Sequence, residues 1–588
     1  MSLPSVDTAV QAGPVQAGPV RAGRPMVRRL RVRGWLRLAT PLHVGGLGDD
    51  PSVDLALAVD GQSRLYVPGT SLAGALRAFA ARSIADAGVL DGIWGSVPQN
   101  SSDAGSASRI IIHDSLVTAD TDPGTPLPRS RVEARSGIGI DRVSGTVAHG
   151  FLYGRAVIPS GTFLRLEIDL ESPVQELSAD PATAMLGTLL LALAGGGLRL
   201  GAARTRGLGS VVLAGKPEIV EQRFDSLDGI LDALGLVTAP ATRPLTPQDL
   251  GGTDPDADML RVEITWRPAS PVMVRSGVDG FAINALPLVS GVEGSDQVAL
   301  VLPGSSIKGA LRSHAESIER TARGVDAPHP LKVAAGPARS ERFRAQLDQL
   351  AAVNALFGSA GRTDTGDGAP CWGVGALGAD DCYSTQPISG TLWRALNGAH
   401  VEGLTTPPAN QPLRPLRSSE KSRARVEGPV RKGLKQLGMD EAEHVAIDRW
   451  TGGAADKRLF STLEPHHVEW RQLKLTVDLR RLRQFDQDGL TQPALALLLF
   501  ILRDLSAGRV RFGHGVNRGH GDITVESITI NGFPDAKNTY KNLDELLAEP
   551  AVAECAQRWR DYLDNHSGTS TSTSTSASAS ASGEGNPA

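Results

Sequence analysis

Residues 68–77 read PGTSLAGALR and residues 303–312 read PGSSIKGALR. A chain that writes so unusual a segment twice is constrained to fold as two related units. Five further pairs of segments recur in the same order. Thr40-Pro41-Leu42-His43-Val44 faces Ser270-Pro271-Val272-Met273-Val274, and DLALAVDG from Asp54 faces NALPLVSG from Asn284. After the twin segment come IWGSV and ALFGSA, then IDRVSGT from Ile140 and IDRWTGG from Ile447. Last, an apolar helix leads into LRLGAARTRGLGSVVL from Leu198 and into VRFGHGVNRGHGDITV from Val510.

Each unit opens on a strand of period two, RRLRVRGWLRL from Arg28 and LRVEITWRP from Leu260. A helix follows, then further strands such as RIIIHDSLV and TFLRLEIDL, a second helix and a last strand. This β-α-β-β-α-β order predicts an α+β chain of two tandem ferredoxin-like domains with insertions. The expected domains are 27–236 and 259–533, the second carrying an insertion over 315–445. The Pro-, Gly- and Asp-rich stretch 237–258 reads as a linker, and 534–566 as a helical appendage. Residues 1–26 and 567–588 are low in complexity and are expected to be disordered.

The bulk numbers narrow the class. At 588 residues the chain is too long for one core. Its longest apolar runs, such as ALALLLFIL from Ala494, are too short to span a membrane. The N-terminus lacks a signal-peptide core, so a cytoplasmic protein without membrane contact is expected. Cys371, Cys382 and Cys555 match no zinc spacing and read as ordinary thiols. A net charge of −4 argues against simple coating of nucleic acid. Locally, however, Arg414, Arg417, Lys421, Arg423, Arg425, Arg431, Lys432 and Lys435 form a basic run just before the second IDR. Such a run is a solvated loop or a phosphate contact.

Taken together, these markers resemble the CRISPR-associated RAMP superfamily, and within it the backbone subunits of type III effector complexes. The family pattern PLHIG, loop Asp, IPGSSLKGALR, LFG, IDR and a closing G-x-G-x-x-R-G-x-G loop runs through 27–236 and again through 259–531. The resemblance implies two fused RAMP units that bind a guide RNA and pack beside other effector subunits. It also implies that a paired target RNA is cut opposite a catalytic Asp. Ala73 stands where the family has Lys, which Lys308 keeps, and Ala203 stands where the closing loop has its second Gly.

The residues suggest the chemistry as follows. A Pro-Gly step with Ser/Thr sets backbone N–H groups at a helix start, where an anion is well held, although the same turn also serves folding alone. Ser71 with Arg77, and Ser306 with Lys308 and Arg312, are the RNA contacts expected there. The closing loops place Arg204, Arg206, Gly207 and Gly209, and Arg518, Gly519 and Gly521, where backbone and guanidinium can meet phosphate. Alternatively, those glycines serve only the turn. Arg131, Arg135 and Arg142 before the first IDR, and Arg425 and Arg449 at the second, fall where the family has a thumb that wedges into the guide–target duplex. Asp141 and Asp448 are read as local structural partners. Aromatic residues make up only 4% of the chain, which favours contact with sugar and phosphate over base stacking.

His43 is an expected RNA contact, and Asp54 falls where the family has its catalytic Asp. One carboxylate can act as a base or hold a divalent metal such as Mg2+, and it can equally be a turn residue. The second unit has Asn284 and Met273 at these places, with Asp279 nearby, and is expected to bind without cutting. The predicted function is a type III backbone subunit that binds guide RNA and cleaves target RNA at Asp54. A non-catalytic scaffold and a guide-maturing endonuclease using His43 are the competitors.

Overall fold

The computed structural model describes residues 26–46, 53–84, 86–98, 105–236, 245–253, 258–277, 280, 283–328, 338–359, 372–396, 428–533 and 538–566. In the first half, β1 (Arg28–Leu38) turns Leu30, Val32, Leu36 and Leu38 into a core, as its alternation requires. Then follow α1 (Gly69–Ser83), the short strands β2 (Ile110–Ile112) and β3 (Ser115–Thr118), and a hairpin of β4 (Glu133–Ile140) and β5 (Val147–Val157). β6 (Phe163–Ser172), α2 (Pro181–Ala194) and β7 (Ser210–Leu213) complete the unit. β1 lies in the middle, antiparallel to β6 on one side and β7 on the other, and β6 pairs in turn with β2 and β3. Leu72 and Leu76 of α1 and Leu186, Leu189 and Leu193 of α2 pack into the same core as Leu30 and Val32.

The second half repeats this path. β8 (Met259–Pro268) is flanked by β13 (Leu473–Asp478) and β14 (Ile523–Asn531), and β13 pairs with β9 (Leu377–Ala379). Its helices are α3 (Gly304–Arg323) and α5 (Thr491–Ser506), and its hairpin is β11 (Met439–Ile447) with β12 (Ala454–Pro465). The expected insertion adds α4 (Ala338–Asp348), whereas β10 (Cys382–Tyr383), within the same span, is the counterpart of β3, and residue 315 itself falls inside α3, which runs on to Arg323. In the appendage, α6 (Pro550–His566) buries Cys555, Trp559 and Tyr562, with Trp559 edge-on to Phe500 of α5 at 5.7 Å.

Each half has its own apolar core, so what joins them is mostly polar. Part of the expected linker, 245–253, packs on the first half: Leu250 is buried there, and a side chain at Gly252 would strike Gly187 of α2. Cys382 and Cys555 are buried thiols without disulfides. Cys371 and the two terminal segments lie outside the described residues. Among the described residues no helix is long and apolar enough to cross a membrane.

Candidate nucleic-acid interface

The twin turns do form helix starts that hold an anion, but the anion is internal. Asp114, in the break between β2 and β3, accepts the Gly69 N–H at 2.7 Å. Asp381, in the equivalent break between β9 and β10, accepts the Gly304 N–H at 2.8 Å. The Ser71 and Ser306 N–H groups donate to Pro68 O and Pro303 O, within their own turns. These N–H groups are therefore not open to a phosphate, contrary to the expectation for the turn. The recurring Asp after the second strand, in IIIHDSLV and GADDCYS, was a signal that the comparison of repeats passed over.

Four of the expected RNA contacts instead lie where the halves meet, Lys308 and Arg135 buried and Arg142 and Arg312 partly buried. Lys308 donates to Thr205 Oγ1 at 3.1 Å and to Leu377 O at 2.7 Å. Burial first, then Arg206, Arg312 and Arg481, holds its ammonium pKa well below the usual lysine range. Arg142 forms a fork to Glu316, Nε to Oε2 at 2.6 Å and Nη2 to Oε1 at 3.2 Å. Arg312 takes the same carboxylate at 2.7 Å, and Arg135 lies between Glu133 and Asp381 at 3.3 and 3.6 Å. Burial opposes the charge on Asp381 and pushes its carboxyl pKa up to about 6, against the pull of Arg135. A buried guanidinium needs a carboxylate, and in each of these pairs it has found one inside the protein.

His43 is buried too. Its Nδ1 lies 2.7 Å from Ala156 O, and burial lowers its pKa. It braces β5 and is only 4% exposed. Arg77 is half-buried and paired with Asp91 at 2.6 Å. Arg131, Arg204, Arg206, Arg449 and Arg518 are exposed, whereas Arg425 and Asp279 lie outside the described residues. Asp141 and Asp448 accept the N–H groups of the two residues that follow the intervening Arg and do not pair with the guanidinium of Arg142 or Arg449 itself.

The closing loops serve two purposes. At Gly209 and Gly521, with φ of +83° and +91°, a Cβ would fall 1.9 Å from Leu200 O and 2.5 Å from Phe512 O, so these glycines belong to the turn itself. Gly207 lies against the second half, where a Cβ would meet Asp381 Oδ1 at 2.3 Å, yet the equivalent Gly519 has nothing within 4 Å. The first loop is a joint between halves, and its counterpart stands open.

Beside that joint is a cleft of about 660 Å³ including its open mouth. Arg155, Arg206, Tyr153 and Gly137 line it from the first half, and Arg275, Ser305 and Ser306 from the second. The Arg155 guanidinium sits 5.7 Å over the Tyr153 ring, and Arg206 Nη1 is 3.5 Å from Tyr153 Oη. Burial lowers the Arg155 pKa and Arg206 lowers it further, so the two cations repel and would be relieved by an anion between them. Neither has a carboxylate partner among the described residues. Sequence reading missed Arg155 and Arg275, since an isolated Arg carries no motif. In the second half Arg518 lies 5.8 Å over Phe460, the residue matching Tyr153, and its Nη2 is 3.0 Å from His514 Nε2.

At the foot of the hairpin, the exposed Asp54 accepts the Gly154 N–H on Oδ2 at 2.6 Å. Asn284 accepts the Ser461 N–H on Oδ1 at 2.9 Å. By hairpin register Gly154 and Ser461 are equivalent positions, since Gly137 faces Tyr153 as His444 faces Phe460. Asp54 and Asn284 thus make the same bond in the same place. What differs is the other atom: a carboxylate oxygen in one, an amide nitrogen in the other. Leu55, next to Asp54, pairs through its backbone with Arg155, one of the residues lining the cleft.

No curated protein sequence matches the chain. The sequence profile of the RAMP superfamily matches residues 35–212 and 269–524, one stretch in each half, covering the Pro-Gly turn, hairpin and closing loop described above. The two matches span most of the chain and the two halves share one sheet order, so the chain belongs to the RAMP superfamily as two fused units.

Proposed function

We propose that the chain is a backbone subunit of a type III CRISPR ribonucleoprotein, holding guide RNA along the cleft between its halves and cutting paired target RNA at Asp54. Membership in a superfamily that generally binds CRISPR RNA and other effector subunits supports the first part. So does the cleft, where Arg155, Arg206 and Arg275 meet the hydroxyls of Ser305 and Ser306. Contacts of this kind recognise phosphate and carry no sequence information, as a subunit that accepts any guide requires.

The observation that carries the second part is the carboxylate at the hairpin foot. Its Oδ2 is held by Gly154, which leaves Oδ1 without a partner among the described residues. In the cutting step Oδ1 takes the proton of an RNA 2'-hydroxyl. That oxygen forms a bond to the adjacent phosphorus, and the bond to the 5'-oxygen breaks as that oxygen gains a proton from water. The products are a 2',3'-cyclic phosphate and a 5'-hydroxyl.

Among the described residues no three His, Cys, Asp or Glu side chains form a metal cluster. A lone exposed carboxylate could still serve as one ligand to a cation such as Mg2+. Asp54 would hold it, and it would supply charge neutralisation at the phosphate.

Asp54→Asn is the decisive variant, because the amide oxygen can still accept from Gly154, as Asn284 does from Ser461. Cleavage should vanish while guide and target binding persist. Undiminished cleavage would remove Asp54 from the mechanism, and a wild-type complex that binds but never cuts would leave a scaffold.

A further inference from the structure

The second unit holds a group of imidazoles that the first lacks. Glu464 of β12 is buried, and three histidines close on its carboxylate. His444 Nε2 of β11 is 2.9 Å from Oε1, His520 Nε2 of the closing loop is 3.4 Å from the same oxygen, and His466 Nε2 is 3.3 Å from Oε2. Counting by hairpin register and along the closing loops, the first unit has Gly137, Leu208 and Val157 where the second has His444, His520 and Glu464, and Ala202 where it has His514. An apolar pocket has become a titratable one. The geometry holds both loop imidazoles in the neutral form. Arg518 Nη2 donates to His514 Nε2 at 3.0 Å, so that nitrogen carries no proton. His520 turns Nε2 to Glu464, while its Nδ1 is buried without a partner among the described residues, and a Cβ at Gly515 would lie 2.9 Å from that atom.

We propose that the segment 514–520 is a proton-operated latch, shut while both loop imidazoles are neutral and released when either takes a second ring proton. A proton on His514 Nε2 removes the acceptor of the Arg518 bond and sets two cations face to face. A proton on His520 Nδ1 creates a buried N–H with no acceptor. The charged and titratable groups that face the pair are Arg518 from the loop, Arg275 from the segment after β8, His444 from β11, Glu464 from β12 and His466 just beyond it, while Arg511 at the loop's base is paired with Asp522 at 2.7 Å. Their single free carboxylate offsets one imidazolium and no more. Burial first, then Arg518, Arg275, His520 and His444, lowers the pKa of His514. A base whose pKa is lowered in the closed loop binds its proton more tightly once released, so acid opens the latch and alkali shuts it. The ends of the loop stay anchored, since His514 N–H donates to Met273 O at 2.7 Å and Gly521 N–H to Pro271 O at 2.9 Å. The latch depends on neither RNA binding nor cleavage.

The Arg518 and His520 N–H groups both donate to Gly515 O, at 2.7 and 3.3 Å, so a shut latch protects them from exchange with solvent. The test follows hydrogen–deuterium exchange of the full-length chain by mass spectrometry between about pH 8 and about pH 5, with each rate divided by the intrinsic rate at that pH. Protection of 514–520 should fall at least about tenfold on acidification, while the α5 segment 494–502 stays protected. His514→Ala combined with His520→Leu writes the first unit's residues into the loop and should hold its protection constant across the range. Unchanged protection of the wild-type loop, the same fall in the double variant, or a parallel loss at 494–502 would each overturn the proposal.

Discussion

The segments PGTSLAGALR and PGSSIKGALR take the same path and end in different surroundings. Both start a helix whose first N–H is held by an aspartate from a break between strands, at 2.7 and 2.8 Å. In the first half Arg77 reaches a half-exposed Asp91, and Ala73 stands where the second half has Lys308. In the second half Lys308 is buried and Arg312 partly buried beside the loop and hairpin of the first. The lesson is that a duplicated motif keeps its local bonds, while its charged side chains take their roles from whichever neighbour covers them.

The largest test of the comparison concerns the residues that differ at one shared bond. Asp54→Asn makes the halves alike at the hairpin foot and should lower target cleavage by about 10²–10⁴-fold, the range for loss of a general base. Asn284→Asp makes them alike in the other direction. A second cut at a fixed distance from the first, seen on a sequencing gel of end-labelled target, is the expected gain.

Next in size is the ion-pair contrast. Glu316→Ala strands Arg142 and Arg312 inside the interface and should cost about 3–5 kcal/mol of stability. Asp91→Ala, which frees only the half-exposed Arg77, should cost about 1 kcal/mol or less. Denaturant titrations of the two variants compare them directly, and equal losses would break the comparison.

The closing loops offer a smaller contrast. Gly519→Ala meets open space and pays only the left-handed backbone, about 1–2 kcal/mol. Gly207→Ala carries the same backbone cost and also drives a methyl into Asp381, so it should be the more destabilising and should loosen the joint between halves, read as faster proteolysis there. The smallest effect belongs to the arginines that remain exposed. Arg206→Ala and Arg518→Ala should each flatten the salt dependence of guide binding by about one unit of log–log slope, equally for unrelated guides. A strong dependence on guide sequence would argue against phosphate contact.

Much of this was legible before any coordinate. The period-two strands from Arg28 and Leu260 became the central strands of both sheets, because alternation along a strand is a direct record of which face meets a core. The Asp54 and Asn284 pair was found by counting from the turn. Lys308, Arg312, Arg142, Arg135 and His43 were not legible as buried or partly buried groups. A basic residue in a family motif looks the same whether a phosphate or a carboxylate will face it.

By itself, then, the order of residues determined that the chain holds two RAMP units, where their strands and turns lie, and that a carboxylate in one corresponds to an amide in the other. These are properties of local pattern and of repetition. Only the tertiary structure decided that the first unit's loop and hairpin dock on the second, leaving Arg206 at a cleft, Arg142 inside an interface, and Arg449 and Trp450 exposed. The physical reason is that a guanidinium binds a protein carboxylate as readily as a phosphate. Which of them it meets depends on contacts between residues some two hundred positions apart, as with Arg142 and Glu316, and no local pattern records those contacts.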